Sequence, residues 1–382
     1  MREVYFDNAA TSHPKRNGVS SAMKYFLDEL DCNVGRGAYK KAFETEKVII
    51  DTRERLCSLF GAGVSGDHAA FTANVTQALN TVMKGMLKRG DHFLISGLEH
   101  NAVARPAEEL REKGVSYDVI PCSRTGILDI DALEKLIRPE TKAVVMTHAS
   151  NVSGNILPIN DVGAVCRKHG IRFVLDSAQT AGYLDIDMKT AAVDALCFTG
   201  HKSIGGPQGI GGFILGSGFA AEIAPFIDGG TGSISDKIEM PDFMPDKFEA
   251  GTQNLPGIFG LHAALEAIAE TDMEAERKKE ERLTDMFLEI ISGIGCAKAA
   301  GGGGAACRCP IVSVDFRGHD NADIAQRLAA EYGIMTRVGM HCAPIAHKTL
   351  GTFPQGTVRF SFSAANTEAE IAYAANALQE II

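Results

Sequence analysis

With 382 residues, the chain can form two domains, or one large domain with a smaller companion. Hydrophobic residues make up 45% and charged residues 23%, no apolar run reaches the ~18 residues needed to span a bilayer, and MREVYFDNAATSHPK lacks a secretory apolar stretch; a cytoplasmic setting without membrane contact is expected. A net charge of −10 argues against nonspecific nucleic-acid binding and still allows a local basic patch for a small anion such as phosphate.

From residue 68 to 215, the short apolar runs AAFT, HFLIS, YDVIP, AVVMTH, RFVLD, ALCFTG and GGFIL alternate with helical patterns. Such alternation predicts an α/β domain with a mainly parallel seven-stranded sheet, helices on both faces, and ligands outside the strand ends. The clearest helix runs from Thr76 to Arg89, with Leu79, Val82, Met83, Met86 and Leu87 on one face and Gly90 to end it. A second covers Asp129 to Arg138 and stops at Pro139. Beyond residue 255 comes one long helical stretch, LHAALEAIAETDMEAERKKEERLTDMFLEIISGI, whose charged middle reads as a solvated face. The loop AAGGGGAA, a strand IVSVDF, a helix ending near Tyr332 and a capping box at Thr367-Glu368-Ala369-Glu370 complete a smaller α+β domain. The expected division is 16–255 and 256–382, joined by the N-terminal segment 1–15.

Chemistry enters where the runs end. Lys202, in Thr199-Gly200-His201-Lys202, follows ALCF and precedes the glycine-rich SIGGPQGIGG. A lone lysine after a strand is ordinarily a surface residue, but Asp176 closes the preceding run RFVLD and leads into Ser177-Ala178-Gln179. A lysine for a Schiff base and an acid for a pyridinium nitrogen are the pair that pyridoxal phosphate (PLP) chemistry uses. A phosphate needs a helix N-terminus or a nest of N–H groups. Val75 and Thr76, where a strand runs straight into the clearest helix, offer one; a plain N-cap by Asn74 or Thr76 is the alternative. Thr199 and His201 are further phosphate candidates. His100 follows HFLIS on the same rim, either as a structural residue or to lie over the cofactor and move protons, given an ordinary pKa near neutrality.

Nine cysteines lack CxxC spacing, which argues against a disulfide framework and a zinc ribbon, and no metal site is expected. Cys307-Arg308-Cys309 reads as packing beside a turn. Cys342 differs: in Arg337-Val338-Gly339-Met340-His341-Cys342-Ala343-Pro344 it has cationic Arg337 and polar His341 as neighbours, which favours a reactive thiolate. In Val358-Arg359-Phe360-Ser361, the arginine suits an amino acid's carboxylate.

In order, YFDNAAT (5–11), FTANVTQALN (71–80), EHNAV (99–103), HASNVSGN (148–155), LDSAQ (175–179), FTGHK (198–202), FEAGTQN (248–254), RVGMHCAP (337–344) and VRFSFSAANT (358–367) span nearly the whole chain. Together they resemble class V aminotransferase-fold enzymes, specifically the SUF-type cysteine desulfurases and the closely similar selenocysteine lyases. The resemblance implies the type I fold of PLP-dependent transferases and a persulfide formed on Cys342 as L-cysteine becomes L-alanine. It assigns Lys202, Cys342 and His100 to catalysis, and Asn151 and Gln179 to the ring-hydroxyl region of the cofactor. Asn8, Ala9, Asn151, Arg337 and Arg359 would meet substrate. Thr252 would reach the phosphate of a neighbouring subunit, hence a homodimer. The short cysteine loop implies a small sulfur-acceptor protein, as in iron–sulfur cluster assembly. Two departures stand out: Asn33-Val34-Gly35-Arg36-Gly37 where a histidine-rich HRG motif is frequent, and Met340 where histidine is common. Selenocysteine lyase shares every motif and stays open as the alternative. An aminotransferase has no use for the cysteine loop, and a noncatalytic scaffold no use for Lys202, Asp176, Arg359 or Cys342.

Overall fold

The structure, a computed structural model, describes residues 2–382. A short strand β1 (Val4–Tyr5) precedes seven strands of one sheet: β2 (Ala69–Thr72), β3 (His92–Ser96), β4 (Ser116–Ile120), β5 (Thr141–Thr147), β6 (Arg172–Asp176), β7 (Ala195–Thr199) and β8 (Gly211–Leu215). They lie in the order β2-β8-β7-β6-β5-β3-β4, and within the sheet β8 alone runs against the rest. All seven apolar runs are therefore strands of one mainly parallel sheet. Every residue of β3, β7 and β8 is buried, because helices cover both faces, which is why these strands read as continuous apolar runs. At the edge, β4 is half exposed and correspondingly polar.

Helix Val75–Met86 ends three residues earlier than its periodicity predicts. Leu87 turns extended to bury its side chain, and Gly90 takes a left-handed φ of 93° while its N–H bonds the Gly114 carbonyl at 2.9 Å. The long C-terminal helical stretch is two helices, Leu255–Glu270 and Met273–Ser292. Asp272 breaks it by accepting from the Ala275 N–H (3.0 Å) as the N-cap of the second. The halves serve different cores. Leu255, Ile258, Leu261 and Leu265 pack with Leu196 and Phe198 of the large sheet, whereas Leu283, Phe287 and Ile291 pack in a second core with Phe316, Phe360 and Leu378. A division near residue 271 suits this packing better than one at 256.

The second core backs a four-stranded antiparallel sheet of β9 (Ala297–Ala299), β10 (Ile311–Phe316), β12 (Arg337–Gly339) and β13 (Thr357–Ser361), ordered β12-β13-β10-β9. The remaining strand, β11 (Ile334–Met335), pairs in parallel with β1, and Val4 and Phe6 enter this core. The N-terminal segment thus belongs with the smaller unit before crossing to the large sheet. The capping box forms: the Thr367 N–H donates to Glu370 (2.9 Å) and the Glu370 N–H to Thr367 Oγ1 (3.3 Å). Among the described residues, no helix is long and apolar enough to cross a membrane.

Candidate functional site

The six co-directional strands bring their carboxyl ends to one rim. Register places Thr199 of β7 beside Gly211 of β8, which faces Thr72 of β2, so the start of helix Val75–Met86 lies next to the loop carrying His201 and Lys202. A Cβ at Gly211 would meet the Asn74 backbone at 3.0 Å, so glycine permits this approach. Asn74 caps the helix by accepting from the Gln77 N–H (3.0 Å), and the N–H groups of Val75 and Thr76 make no hydrogen bond among the described residues. Buried Thr199 Oγ1 and His201 Nδ1 also lack partners.

Asp176 ends β6 with 2% of its surface exposed, its Oδ1 accepting from the Ala178 N–H (2.9 Å). Burial pushes its carboxyl up, and the Ala178 N–H and then Lys202 act in the opposite direction. Burial lowers the Lys202 amine to about 8 against the pull of Asp176. The amine therefore gives up its proton more readily than an ordinary lysine.

His100 caps helix Asn101–Glu112: its Nδ1 accepts from the Ala102 N–H (3.0 Å), which leaves the ring proton on Nε2. Burial, then the charges of Lys202 and Arg359, lower it to about 4. The expected near-neutral titration is thus corrected: at pH 7 this is a neutral imidazole with one N–H to offer.

The cysteine loop is clamped to the rim from two strand ends. Asn101 N–H donates to the Cys342 carbonyl (2.8 Å), and Asn151 Nδ2 to the His341 carbonyl (2.7 Å). His341 and Cys342 both take left-handed backbones, φ 46° and 56°, a strained conformation for residues with a Cβ. The Cys342 side chain remains exposed. Its surroundings differ from expectation. The His341 ring is buried against Thr357 Oγ1 (2.9 Å), and burial holds it near 2, so it brings no charge to the thiol. Arg337 is engaged by Asp7, with Nη2 to Oδ2 at 2.8 Å.

Arg359, 3% exposed on β13, donates to the Asn151 carbonyl (3.1 Å) and to Asp7 Oδ1 (3.1 Å), while its Nε is buried without a partner. Asn151 Oδ1 is likewise unpartnered. Gln179 Nε2 donates to the Ala9 carbonyl (3.2 Å). The Asn8 side chain is occupied structurally, donating to the Ser361 carbonyl (3.1 Å) and accepting from the His13 N–H (3.0 Å). Thr252 is exposed and makes no hydrogen bond among the described residues.

Sequence reasoning missed two acids. Asp7 becomes visible only when Arg337 and Arg359 are known to be neighbours. Glu99, fully buried, clamps β3 to β5: its Oε1 accepts from the Ser96 hydroxyl and from the Thr147 N–H (3.0 Å), while its Oε2 has no partner. An acid three residues past the end of a wholly buried strand was the available signal. Burial raises its carboxyl to about 8. The folded chain therefore keeps this proton above the unfolded pKa of ~4.3, and stability falls as pH rises from there toward 8. Glu99→Gln removes that loss. Between pH 5.5 and 8, the variant should gain on the order of 3 kcal/mol over wild type. Denaturant midpoints at the two pH values check this; parallel behaviour would mean that folded Glu99 is ionised.

A loosened amine in the field of a buried carboxylate, under a clamped cysteine loop, is the equipment of an enzyme rather than a binding module. The chain belongs to the class-V aminotransferase family, which it matches over residues 4–373. A protein named probable cysteine desulfurase from Methanothermobacter thermautotrophicus is 31% identical over 387 aligned positions, covering 99% of this chain and 94% of that one. The apo structure of a cysteine desulfurase from Thermococcus onnurineus NA1 superposes with a TM-score of 0.93 at 29% identity, covering 100% of this chain and 94% of that one. The Escherichia coli cysteine desulfurase CsdA, in an S-sulfonic acid form, gives 0.88 at 28%, covering 99% and 94%.

Proposed function

We propose that the chain is a PLP-dependent cysteine desulfurase that removes sulfur from L-cysteine, giving L-alanine and a persulfide on Cys342. The observation that carries this reading is the meeting of Lys202 and Asp176 with the Cys342 loop on one sheet rim, the loop tied there through Asn101 and Asn151. The residues fit the cofactor. Thr199 Oγ1, His201 Nδ1 and Asn151 Oδ1 are buried and unpaired, a condition that costs about 1–3 kcal/mol each and that a bound polar group relieves. Lys202 would hold PLP covalently and Asp176 its ring nitrogen. Asn151 and Gln179 would hold its ring-hydroxyl region, and Val75, Thr76, Thr199 and His201 its phosphate. When bound, the ring takes up the charge left at an amino acid's Cα.

The chain's own groups do the rest. Arg359 holds the substrate carboxylate with its remaining N–H donors. Lys202 Nζ, already lowered to about 8, takes the Cα proton. Cys342 Sγ attacks the substrate sulfur; an S–S bond forms as the Cβ–S bond breaks, the electron pair left on carbon takes a proton at Cβ, and return of a proton from Lys202 to Cα completes alanine. His100, neutral with its proton on Nε2, is the donor placed beside Lys202 for protonating intermediates.

Homodimer formation is part of the proposal. Tyr39, Phe43 and Ile50 near one helix, and Phe226, Ile238 and Phe243 on the approach to Thr252, expose apolar surface suited to a second copy, where Thr252 would reach the neighbouring phosphate. The exposed Cys342 suits hand-over to a small acceptor protein, and nine free cysteines suit a reducing cytoplasm.

Alanine release from L-cysteine and L-selenocysteine, measured side by side with and without reductant, tests the activity. A cofactor-coloured protein that makes alanine only from L-selenocysteine would replace the reading with a lyase. Arg359→Ala should weaken amino-acid binding by about 2–5 kcal/mol while sparing cofactor binding. Titrating the cofactor's visible band with L-cysteine measures it, and an unchanged apparent affinity would move the carboxylate site elsewhere.

A further inference from the structure

In the antiparallel pair β12–β13, Arg337 stands directly opposite Arg359. Like charges at opposed positions destabilise a sheet, and one of these guanidinium groups is buried, which adds a desolvation cost. Asp7 resolves the conflict. Its Oδ1 accepts from Arg359 Nη2 (3.1 Å) and Arg337 Nε (3.1 Å), and its Oδ2 accepts from Arg337 Nη2 (2.8 Å) and Nε (3.1 Å). The carboxylate is itself fixed. Asp7 bridges to Ser361 of β13, the neighbouring Phe6 is fully buried, and the Ala9 N–H donates to Ser361 Oγ (2.9 Å). Its backbone is held on both sides, so it cannot follow an arginine that moves.

We infer that Asp7 is the positioning residue that presents Arg359 to the substrate's α-carboxylate; this rests on the reading of Arg359 as the carboxylate-binding group. Arginine has five N–H donors. Asp7 and the Asn151 carbonyl take one each, so three stay free, among them the buried, unpartnered Nε. An arriving carboxylate completes the guanidinium without displacing either existing partner. Asp7 also leaves the arginine pair with one net positive charge instead of two, which a single carboxylate neutralises.

The test uses holoenzyme titrated with L-alanine, the expected product, read by the cofactor's visible absorbance, together with steady-state turnover of L-cysteine. Asp7→Asn keeps the shape but turns an NH2 toward guanidinium donors, so one arginine loses its partner. Apparent affinity for L-alanine should fall at least about tenfold, and KM for L-cysteine should rise in parallel with kcat within about threefold. Asp7→Glu keeps the charge on a longer arm and should lose only about threefold in affinity. The borohydride-reducible link at Lys202 should persist in both. Wild-type affinity in Asp7→Asn overturns the inference, as does equal weakening of both variants with a matching fall in melting temperature, which marks a merely structural role. If Asp7→Asn yields no folded holoenzyme, Asp7→Glu decides: unchanged affinity overturns the inference and the intermediate loss supports it. A wild-type holoenzyme with no spectral response to either amino acid would instead remove the functional reading, and the role of Asp7 with it.

Discussion

Lys202→Ala protein should be purified without a borohydride-reducible cofactor bond, and its alanine production from L-cysteine should fall by at least ~10³-fold. The size of the effect follows from the two roles proposed for Lys202, which are lost together: the covalent hold on the cofactor and the base for the Cα proton. Substitution also leaves buried Asp176 without the cation that opposes its desolvation, so cofactor retention should weaken as well. The nearby rival amine is Lys15, likewise lowered to about 8 by burial. Its Nζ is held by Thr11 Oγ1 (3.0 Å), Ser12 Oγ (3.2 Å) and the His201 carbonyl (2.9 Å), which leaves it poorly placed for nucleophilic work. Borohydride reduction followed by peptide mapping separates the two. A reduced adduct on Lys15 in wild-type protein would overturn the assignment.

The second large effect is expected from Cys342→Ser. In the proposed mechanism amino-acid binding and Cα proton removal use Lys202 and Arg359, so the variant should keep its spectral response to L-cysteine. Sulfur transfer should be lost: a hydroxyl attacks sulfur far more weakly than a thiolate, and alanine from L-cysteine should fall at least ~100-fold with no protein persulfide. L-Selenocysteine should be spared in part, because its weaker carbon–selenium bond needs less nucleophilic help. Alanine from both substrates and intact mass after cysteine addition check this. A persulfide on exposed Cys307 would relocate the acceptor thiol. Buried Cys309 is a poor candidate, since burial drives its thiol well above the ordinary range.

Both expectations depend on residues that could be read from the sequence. Lys202 and Asp176 were legible because each closes or follows an apolar run, and such runs are continuous where a parallel strand is covered on both faces. Cys342 was legible from a glycine-containing loop rich in polar neighbours. What that loop does was not. The two neighbours expected to serve the thiol make other contacts, cationic Arg337 with Asp7 across 330 positions of chain and polar His341 in a buried contact with Thr357.

The sequence by itself determined the seven strands, the rim on which Lys202, Asp176 and His100 meet, and the capped C-terminal helix, because periodicity, caps and strand ends are local properties of neighbouring residues. Tertiary structure alone decided the opposition of Arg337 and Arg359, the carboxylate that joins them, the neutral states of His100 and His341, and the raised carboxyl of Glu99. Strand register and desolvation set these, and both depend on which distant residues the fold brings against a side chain, a quantity that no local pattern carries.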